Sequence, residues 1–292
     1  MRASLAVLTA LTLCVRARAD IGPAKPLWKT GVRGTVGSSH YVGRGAYLQY
    51  GDDWRVKGSY SDYRQDGSTG TVRTASVRGG YQGENLSAGA SFSVSPRNAN
   101  YANRSFGLDG SWTFFLADGK DDAAPSGLEE VELGGWWTQT RHSQIIPATI
   151  FAVRERNVVI NQHDLGVSAA LTGWDFTLSL DASRTFYDQD FSALPSAALQ
   201  IQRLGQTAAL VNGFPDRSGS VRLEYERWKR AVPYVSFSAT RYKIQPQPAS
   251  ATSGVGVAFK QGAFGLDLGL ERTRQKGSPD TKYFNFGGSF RF

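Results

Sequence analysis

The sequence has little of what most globular enzymes use for stability or chemistry. It contains one cysteine and three histidines, and outside its first residues no apolar run approaches the roughly 20 residues of a membrane-spanning helix. Cys14 lies in a segment predicted to be removed, so we expect the mature chain to have no disulfide and no thiol nucleophile. The scattered histidines lack the close, repeated spacing of a metal site. We therefore expect no metal and no cofactor.

The first nineteen residues predict a cleaved secretory signal peptide. Met1-Arg2 gives a positive start, Ala3 to Val15 an apolar run, and Ala17-Arg18-Ala19 a small-x-small cleavage site. We predict cleavage after Ala19, which leaves 20–292 as a single domain. The alternative is a lipoprotein signal using Cys14, which Leu13 disfavours because a small residue usually stands at that position.

Composition narrows the class of the mature chain. Loss of Arg2, Arg16 and Arg18 lowers the net charge from +8 to +5, a mild value that does not indicate a nucleic-acid partner. A mean hydropathy of −0.33 would suit a soluble protein, yet the chain has 33 glycines and 12% aromatic residues. Transmembrane β-barrels combine these properties, because every second residue faces a wet interior.

The chain divides into segments of about ten residues in which apolar and polar residues alternate, the length of a tilted transmembrane strand. We predict fourteen strands, an even number that returns the last strand to the side where the first began. Twelve or sixteen remain open, because 145–160 and 197–212 are apolar enough for another hairpin. Short turns such as Thr172-Gly173 are predicted at the periplasmic end, and longer connections such as 95–104, 140–162 and 185–216 at the outer end.

Large aromatic residues concentrate near the predicted strand ends, where indole and phenol rings favour a membrane interface. We predict a periplasmic belt made of Trp28, Trp54, Trp112, Phe114, Trp174, Trp228, Phe264 and Phe292. We predict an outer belt made of Tyr41, Tyr60, Tyr63, Phe106, Tyr187, Tyr242 and Tyr283.

The last eight residues carry a family resemblance. They read polar-x-Gly-x-x-aromatic-x-aromatic and resemble the C-terminal β-signal of Gram-negative outer-membrane β-barrels, with Asn285, Gly287, Phe290 and Phe292 at the matching positions. The resemblance implies an all-β, transmembrane, antiparallel up-and-down barrel in the outer membrane. It also implies contact with outer-membrane lipid and with the barrel assembly machinery.

Charged residues on the inward face are the candidate functional site. Alternation places a basic arc on the first four strands and the last, and an acidic arc on the remaining wall. Such arcs either make a transverse field across a wet lumen or pair and close it. Many small inward residues favour a water-filled channel for small polar solutes or ions. The predicted lumen charges are Arg33, Arg55, Lys57, Arg78, Asp109, Glu130, Glu132, Asp181, Glu224, Asp267, Glu271 and Arg291.

Two other functions remain as alternatives. A lipid hydrolase would need an activated serine, but His163-Asp164 is the one adjacent His/acid pair and its side chains point to opposite faces of a strand. We therefore predict no catalysis. A barrel scaffold of an envelope machine would use 140–162 and 185–216, which could fold into the lumen, extend the strands or bind an envelope protein.

Overall fold

A computed structural model describes residues 28–38, 40–64, 71–98, 101–116, 127–146, 156–189, 214–228, 230–243 and 248–292. The predicted signal peptide and the apolar segment 197–212 lie outside these residues. Across the described ranges, no helix has the length and apolar character needed to cross a membrane.

Fourteen antiparallel strands form one closed barrel whose order around the wall is the order along the chain. The predicted up-and-down topology and strand number are confirmed, and the alternatives of twelve and sixteen strands are wrong. The strands are β1 Trp28–Gly37, β2 Tyr41–Tyr50, β3 Trp54–Arg64, β4 Val72–Gln82, β5 Leu86–Asn98, β6 Tyr101–Phe115, β7 Leu128–Ile146, β8 Arg156–Gly173, β9 Phe176–Tyr187, β10 Pro215–Tyr225, β11 Ala231–Tyr242, β12 Ser250–Gln261, β13 Phe264–Gln275 and β14 Thr281–Arg291.

The barrel closes where β1 pairs with β14. At the end of this seam, Trp28 N donates to Phe292 O at 2.9 Å and Phe292 N donates to Trp28 O at 2.8 Å. The side chain of Phe292 is 60% exposed. The terminal phenylalanine therefore lies on the outer surface, where the alternation of the last strand predicts it.

Alternation along the strands places apolar side chains on the outside of the barrel. On β3, Trp54, Val56 and Tyr60 are exposed, whereas the intervening Arg55 and Lys57 are partly covered by the wall. Outward leucines, valines and aromatic rings repeat this pattern on the other strands. Such a continuous apolar exterior is stable in lipid and not in water. The protein is therefore a transmembrane β-barrel.

Short connections join most strand pairs at the end that holds Trp28 and Phe292, and residues 116–127 between β6 and β7 are the exception. The turn between β8 and β9 is Trp174-Asp175, with φ of 52° and 65°. Two consecutive left-handed residues define a type I′ hairpin turn, whose twist matches the flanking strands. The turn predicted at Thr172-Gly173 is thus wrong, because both residues belong to β8. Short turns mark the periplasmic end of an outer-membrane barrel.

Strands extend further than predicted at the opposite, outer end. β7 and β8 are 19 and 18 residues long, so Ile145 and residues 156–160 lengthen an existing hairpin and do not form a new one. β5 and β6 reach Asn98 and Tyr101, so the long connection predicted at 95–104 is wrong. Polar residues in these stretches still alternate correctly, because the strands continue beyond the apolar band.

Candidate functional site: the lumen wall

The inward face of the barrel carries all the charged residues that the sequence assigned to the lumen. Register fixes their positions, since cross-strand partners share a face: Arg33 pairs with Gly287, and Asp267 also pairs with Gly287. Lys29 and Asp164 share this face and were missed, although the same alternation would have found them. The predicted lumen charges lie on β1 (Arg33), β3 (Arg55, Lys57), β4 (Arg78), β6 (Asp109), β7 (Glu130, Glu132), β9 (Asp181), β10 (Glu224), β13 (Asp267, Glu271) and β14 (Arg291).

The basic side of the lumen is built mainly from β1, β3 and β14. The Lys57 ammonium lies 4.3 Å from the centre of the Tyr47 ring. Arg55 donates to the carbonyl oxygen of Asp52 at 2.5 Å and also contacts Gln82. Within the described ranges, neither Lys57 nor Arg33 forms an ion pair with a carboxylate. Their positive charge is therefore left available to the lumen.

One ion pair joins the two sides along the wall. Arg78 on β4 pairs with Asp109 on β6, and the bridge passes over Gly89 on the strand between them. A Cβ atom at Gly89 would lie 3.1 Å from both Arg78 Nε and Asp109 Oδ2. The glycine lets this pair lie flat against the wall.

A second set of contacts follows the wall from β10 to β13. Arg222 donates to Glu224 at 2.6 Å, and its guanidinium lies 3.7 Å from the centre of the Tyr234 ring. The Tyr234 hydroxyl donates to Asp267 at 3.3 Å. To reach Asp267, the ring crosses Gly256, where any Cβ would collide with it.

Other inward rings lie over glycines in the same way. A Cβ at Gly31 would collide with the Tyr47 ring, and one at Gly166 would collide with the Trp136 ring. Large side chains therefore lie along the wall at these positions and do not extend toward the axis. In each case the register of the two strands places the glycine directly opposite the inward aromatic residue.

Tyrosines line the inside of the outer mouth. Tyr41 lies 6.2 Å from Tyr63 and 5.4 Å from Tyr283, measured between ring centres. Of the predicted outer belt, Tyr60 and Phe106 are on the outward face, but Tyr41, Tyr63, Tyr187, Tyr242 and Tyr283 are not. That prediction is wrong because it considered distance along each strand and not the face of each residue.

His142 and His163 lie on opposite faces of the barrel wall. His142 is buried on the inward face, with Nδ1 2.7 Å from the Tyr101 hydroxyl and Nε2 3.1 Å from Gln162 Oε1. His163 lies outside against Trp137, with ring centres 6.1 Å apart, and its cross-strand partners are Gln139 and Phe186. Asp164 faces inward and accepts a hydrogen bond from Thr185 at 2.7 Å. The His163 imidazole therefore has neither Asp164 nor a cross-strand serine beside it.

Known proteins resemble this chain in fold and not in sequence. No family model matches, and no curated protein matches in sequence. The CymD monoaromatic hydrocarbon channel is 11% identical, with 91% of this chain and 87% of CymD covered and a TM-score of 0.51. OprD from Pseudomonas aeruginosa is also 11% identical, with 91% and 94% covered and a TM-score of 0.41. CdiB from Acinetobacter baumannii is 11% identical over 92% of this chain, with a TM-score of 0.49, and the chain spans 60% of its length.

The apolar exterior, the closed wall and the likeness to CymD define the class of the protein. It has the porin-like fold of Gram-negative outer-membrane β-barrels, and its outward face contacts membrane lipid.

Proposed function

We propose that the barrel is a passive channel for small polar solutes or ions. The observation that carries this proposal is the placement of large inward side chains over glycines, which keeps these side chains of the described strands out of the space nearer the axis. Fourteen strands enclose more space than an eight-stranded barrel, whose interior side chains can fill.

Opposed charges on the lumen wall influence which solutes and ions this channel passes. Within the described ranges, most basic lumen groups without an ion pair stand on β1, β3 and β14, with Lys260 on β12, whereas Glu130 and Glu132 stand on β7, across the barrel. Water in the lumen is exposed to the resulting transverse field, which orients dipolar solutes and tunes ion selectivity. We propose the predicted lumen charges as the residues that interact with the permeating solute.

Conductance across a planar bilayer tests the channel directly. Purified protein is expected to insert and produce discrete current steps in potassium chloride. A barrel that inserts, shown by heat-dependent mobility of extracted protein, and yet stays silent at all voltages would overturn the proposal.

Paired charge variants test which side chains face the solute. Arg33→Gln with Lys57→Gln is expected to shift the reversal potential in a salt gradient toward cation selectivity. Glu130→Gln with Glu132→Gln should shift it in the opposite direction, because each pair removes one sign of wall charge. Arg73→Gln, on the outward face, is the control and should leave it unchanged. Shifts of the reversal potential in the same direction for both double variants, or no shift in either, would contradict the assignment.

A glycine substitution tests the space along the axis. Gly166→Ala is expected to push the Trp136 ring off the wall and lower the single-channel conductance, because the atoms nearest to the added Cβ all belong to that ring. Gly79→Ala is the control, because no atom lies within 4 Å of the added Cβ. An unchanged conductance in Gly166→Ala would show that Trp136 does not border the conducting path.

We also propose that this function is non-catalytic. His163 lies on the lipid side, where its cross-strand partners provide no nucleophile. The purified barrel should therefore hydrolyse no phospholipid or ester substrate. Ester hydrolysis that disappears in His163→Ala would contradict this proposal.

We propose that Asn285, Gly287, Phe290 and Phe292 act as the assembly signal, and that residues 1–19 are removed on export. Deleting Phe292 should reduce the amount of barrel in outer-membrane fractions, and the mature protein should begin at Asp20. The protruding β7–β8 hairpin is the surface best placed for an envelope partner. A stoichiometric partner that co-purifies with the wild-type barrel but not after shortening this hairpin would establish that second role.

A further inference from the structure

The outward face near the outer end carries a belt of exposed arginines. They occupy the same strand face as the apolar band, so they lie on the outside of the barrel and not in the lumen. This belt goes beyond the proposed channel function, since none of its members lines the lumen. Its members are Arg44, Arg64, Arg73, Arg104, Arg141, Arg184, Arg217, Arg241, Arg272 and Arg274.

Five members of the belt lie at the same height above the periplasmic aromatic residues. On five strands the outward arginine is eight residues from the outward ring that marks the periplasmic interface: Arg73 from Tyr81, Arg104 from Trp112, Arg184 from Phe176, Arg217 from Tyr225 and Arg272 from Phe264. Eight residues of a tilted strand rise about 20 Å, close to the height of an outer-membrane apolar band. The flexible arginine side chains then reach the outer lipid headgroups.

Two parts of the belt place like charges directly opposite each other. Arg104 and Arg141 are cross-strand partners on β6 and β7. Arg184, Arg217 and Arg241 form a row across β9, β10 and β11. Like charges in such positions repel. We call these the two-arginine patch and the three-arginine patch.

These patches have little neutralising charge within the described residues. Arg217 contacts Asp216 at 3.3 Å, and Asp216 also faces Lys243 at 3.6 Å. The nearby Asp188 is held by Asn161, with 2.6 Å between Asn161 Nδ2 and Asp188 Oδ2. Arg104, Arg141, Arg184 and Arg241 form no ion pair there with any described carboxylate.

Elsewhere in the belt the barrel supplies its own counter-charge. Asp62 pairs with Arg44 at 3.2 Å and is the cross-strand partner of Arg73. Asp280 accepts a hydrogen bond from Arg272 Nε at 2.7 Å and lies 3.6 Å from Arg274 Nε. The two patches thus differ from these parts of the belt, because they bring like charges together with little counter-charge. Arg64 also forms no ion pair within the described residues, but its cross-strand partner is the uncharged Val42.

We propose that the two-arginine patch and the three-arginine patch bind the phosphate groups of an anionic lipid in the outer leaflet. A guanidinium offers two parallel donors that match two phosphate oxygens. Adjacent guanidinium groups at one height can share a phosphorylated headgroup whose acyl chains run down the apolar band below. An outer-leaflet lipid is favoured over free phosphate because both patches lie directly above lipid-facing residues such as Leu108 and Leu180.

Binding of a phosphorylated lipid to the detergent-purified barrel tests this proposal. The probes are bisphosphorylated lipid A and its dephosphorylated form, and bound lipid is counted by native mass spectrometry. Wild-type protein should bind the phosphorylated form at least about tenfold more tightly, the effect expected for two charges near an anionic headgroup. Equal affinity for the two forms would overturn the proposal.

Matched variants locate the site. Arg104→Gln with Arg141→Gln should remove one part of the preference, and Arg184→Gln with Arg217→Gln and Arg241→Gln should remove the other. The control is Arg44→Gln with Asp62→Asn and Arg73→Gln, which removes two arginines of the same belt and their counter-charge and should keep the preference. A control that loses as much affinity as the patch variants would show general charge attraction and overturn the assignment.

Two further measurements distinguish a lipid site from a free-phosphate site and from misassembly of the barrel. Millimolar inorganic phosphate should not displace the lipid; displacement would show a site for free phosphate and contradict the lipid assignment. Heat-dependent mobility and single-channel conductance should be unchanged in the patch variants, because their side chains lie outside the lumen. Loss of lipid binding together with a change in mobility or conductance would indicate misassembly of the variant. The single substitutions Arg141→Lys and Arg241→Lys, which keep the charge, then decide between the two explanations. Retained preference for the phosphorylated lipid supports binding at the patches, and loss of that preference in a folded barrel refutes simple phosphate attraction.

Discussion

The two ends of the lipid-facing surface meet the membrane interface with different chemistry. At the periplasmic end, outward aromatic rings contact each other in pairs, with ring centres 4.7 Å apart for Trp28 and Tyr50 and 5.2 Å apart for Trp54 and Tyr81. At the outer end the corresponding positions hold arginines. Rings gain stability from an interface of any charge, whereas a row of guanidinium groups gains it only where anions are present.

The difference between the two belts extends to their internal contacts. The periplasmic belt is complete in itself, because its rings pack on each other. Part of the outer arginine belt is also neutralised by the barrel itself. A hydrogen bond from Arg272 holds the pKa of the exposed Asp280 carboxyl below its usual value. The two arginine patches are the incomplete part. The barrel thus provides its own stabilising contacts at the periplasmic interface, whereas the two arginine patches at the outer interface have little internal counter-charge within the described residues.

The largest effect is expected from placing an arginine in the middle of the apolar band, below the outer arginine belt. Leu180 lies four residues from Phe176 and four from Arg184, midway across the apolar band. Leu180→Arg should lower the free energy of unfolding by about 2–4 kcal/mol, because the charge then lies near the bilayer centre. Urea titration of the barrel folded in lipid vesicles measures this change.

The matched control for that variant is Ala251→Arg, whose cross-strand partner Arg274 belongs to the belt. It should cost about 0–1 kcal/mol, since an arginine at the interface is tolerated. Equal costs at the two positions would mean that the belt does not mark the edge of the apolar band.

A smaller effect is expected in the periplasmic belt. Trp54→Ala removes the ring contact with Tyr81 and should reduce the free energy of unfolding by about 1 kcal/mol. The loss should be the same at low and high salt, because no charge is involved, and Trp54→Phe should recover part of it. A strong salt dependence in this variant would contradict the distinction between the belts.

The smallest effect concerns the self-neutralised part of the outer belt. Asp62→Asn leaves Arg44 without its ion-pair partner and Arg73 without an acidic cross-strand neighbour, and it should cost about 0.5 kcal/mol in zwitterionic vesicles. In vesicles containing phosphorylated lipid the cost should decrease, because the lipid replaces the missing anion. The same cost in both lipids would show that this position cannot accept an external phosphate.

Alternation in the sequence predicted much of the fold and the inward charges. Arg55 and Lys57 fall between outward Trp54 and Val56, so their face follows from the order of residues alone. The outer tyrosines were misassigned because an aromatic residue near a strand end fits a belt only if it also faces lipid. The turn at Trp174-Asp175 was missed because a bulky residue such as Trp174 rarely adopts the left-handed conformation that this turn requires.

Contacts between strands required the structure. Gly89 under the Arg78–Asp109 pair and Gly256 under Tyr234 depend on which residues of neighbouring strands stand side by side. A shift of one residue in pairing would leave every strand intact and reverse the face of each side chain relative to its neighbours.

The sequence alone predicted fourteen crossings with twelve and sixteen left open, and it indicated the face of most residues and the positions of the charges along each strand, since these follow from a two-residue period within one segment. The tertiary structure alone decided that Arg184, Arg217 and Arg241 stand in one row, that Arg78 reaches Asp109, and that β14 completes the basic wall beside β1. The physical reason is that such neighbours belong to different strands, and only hydrogen-bonded register around a closed wall brings them to the same height.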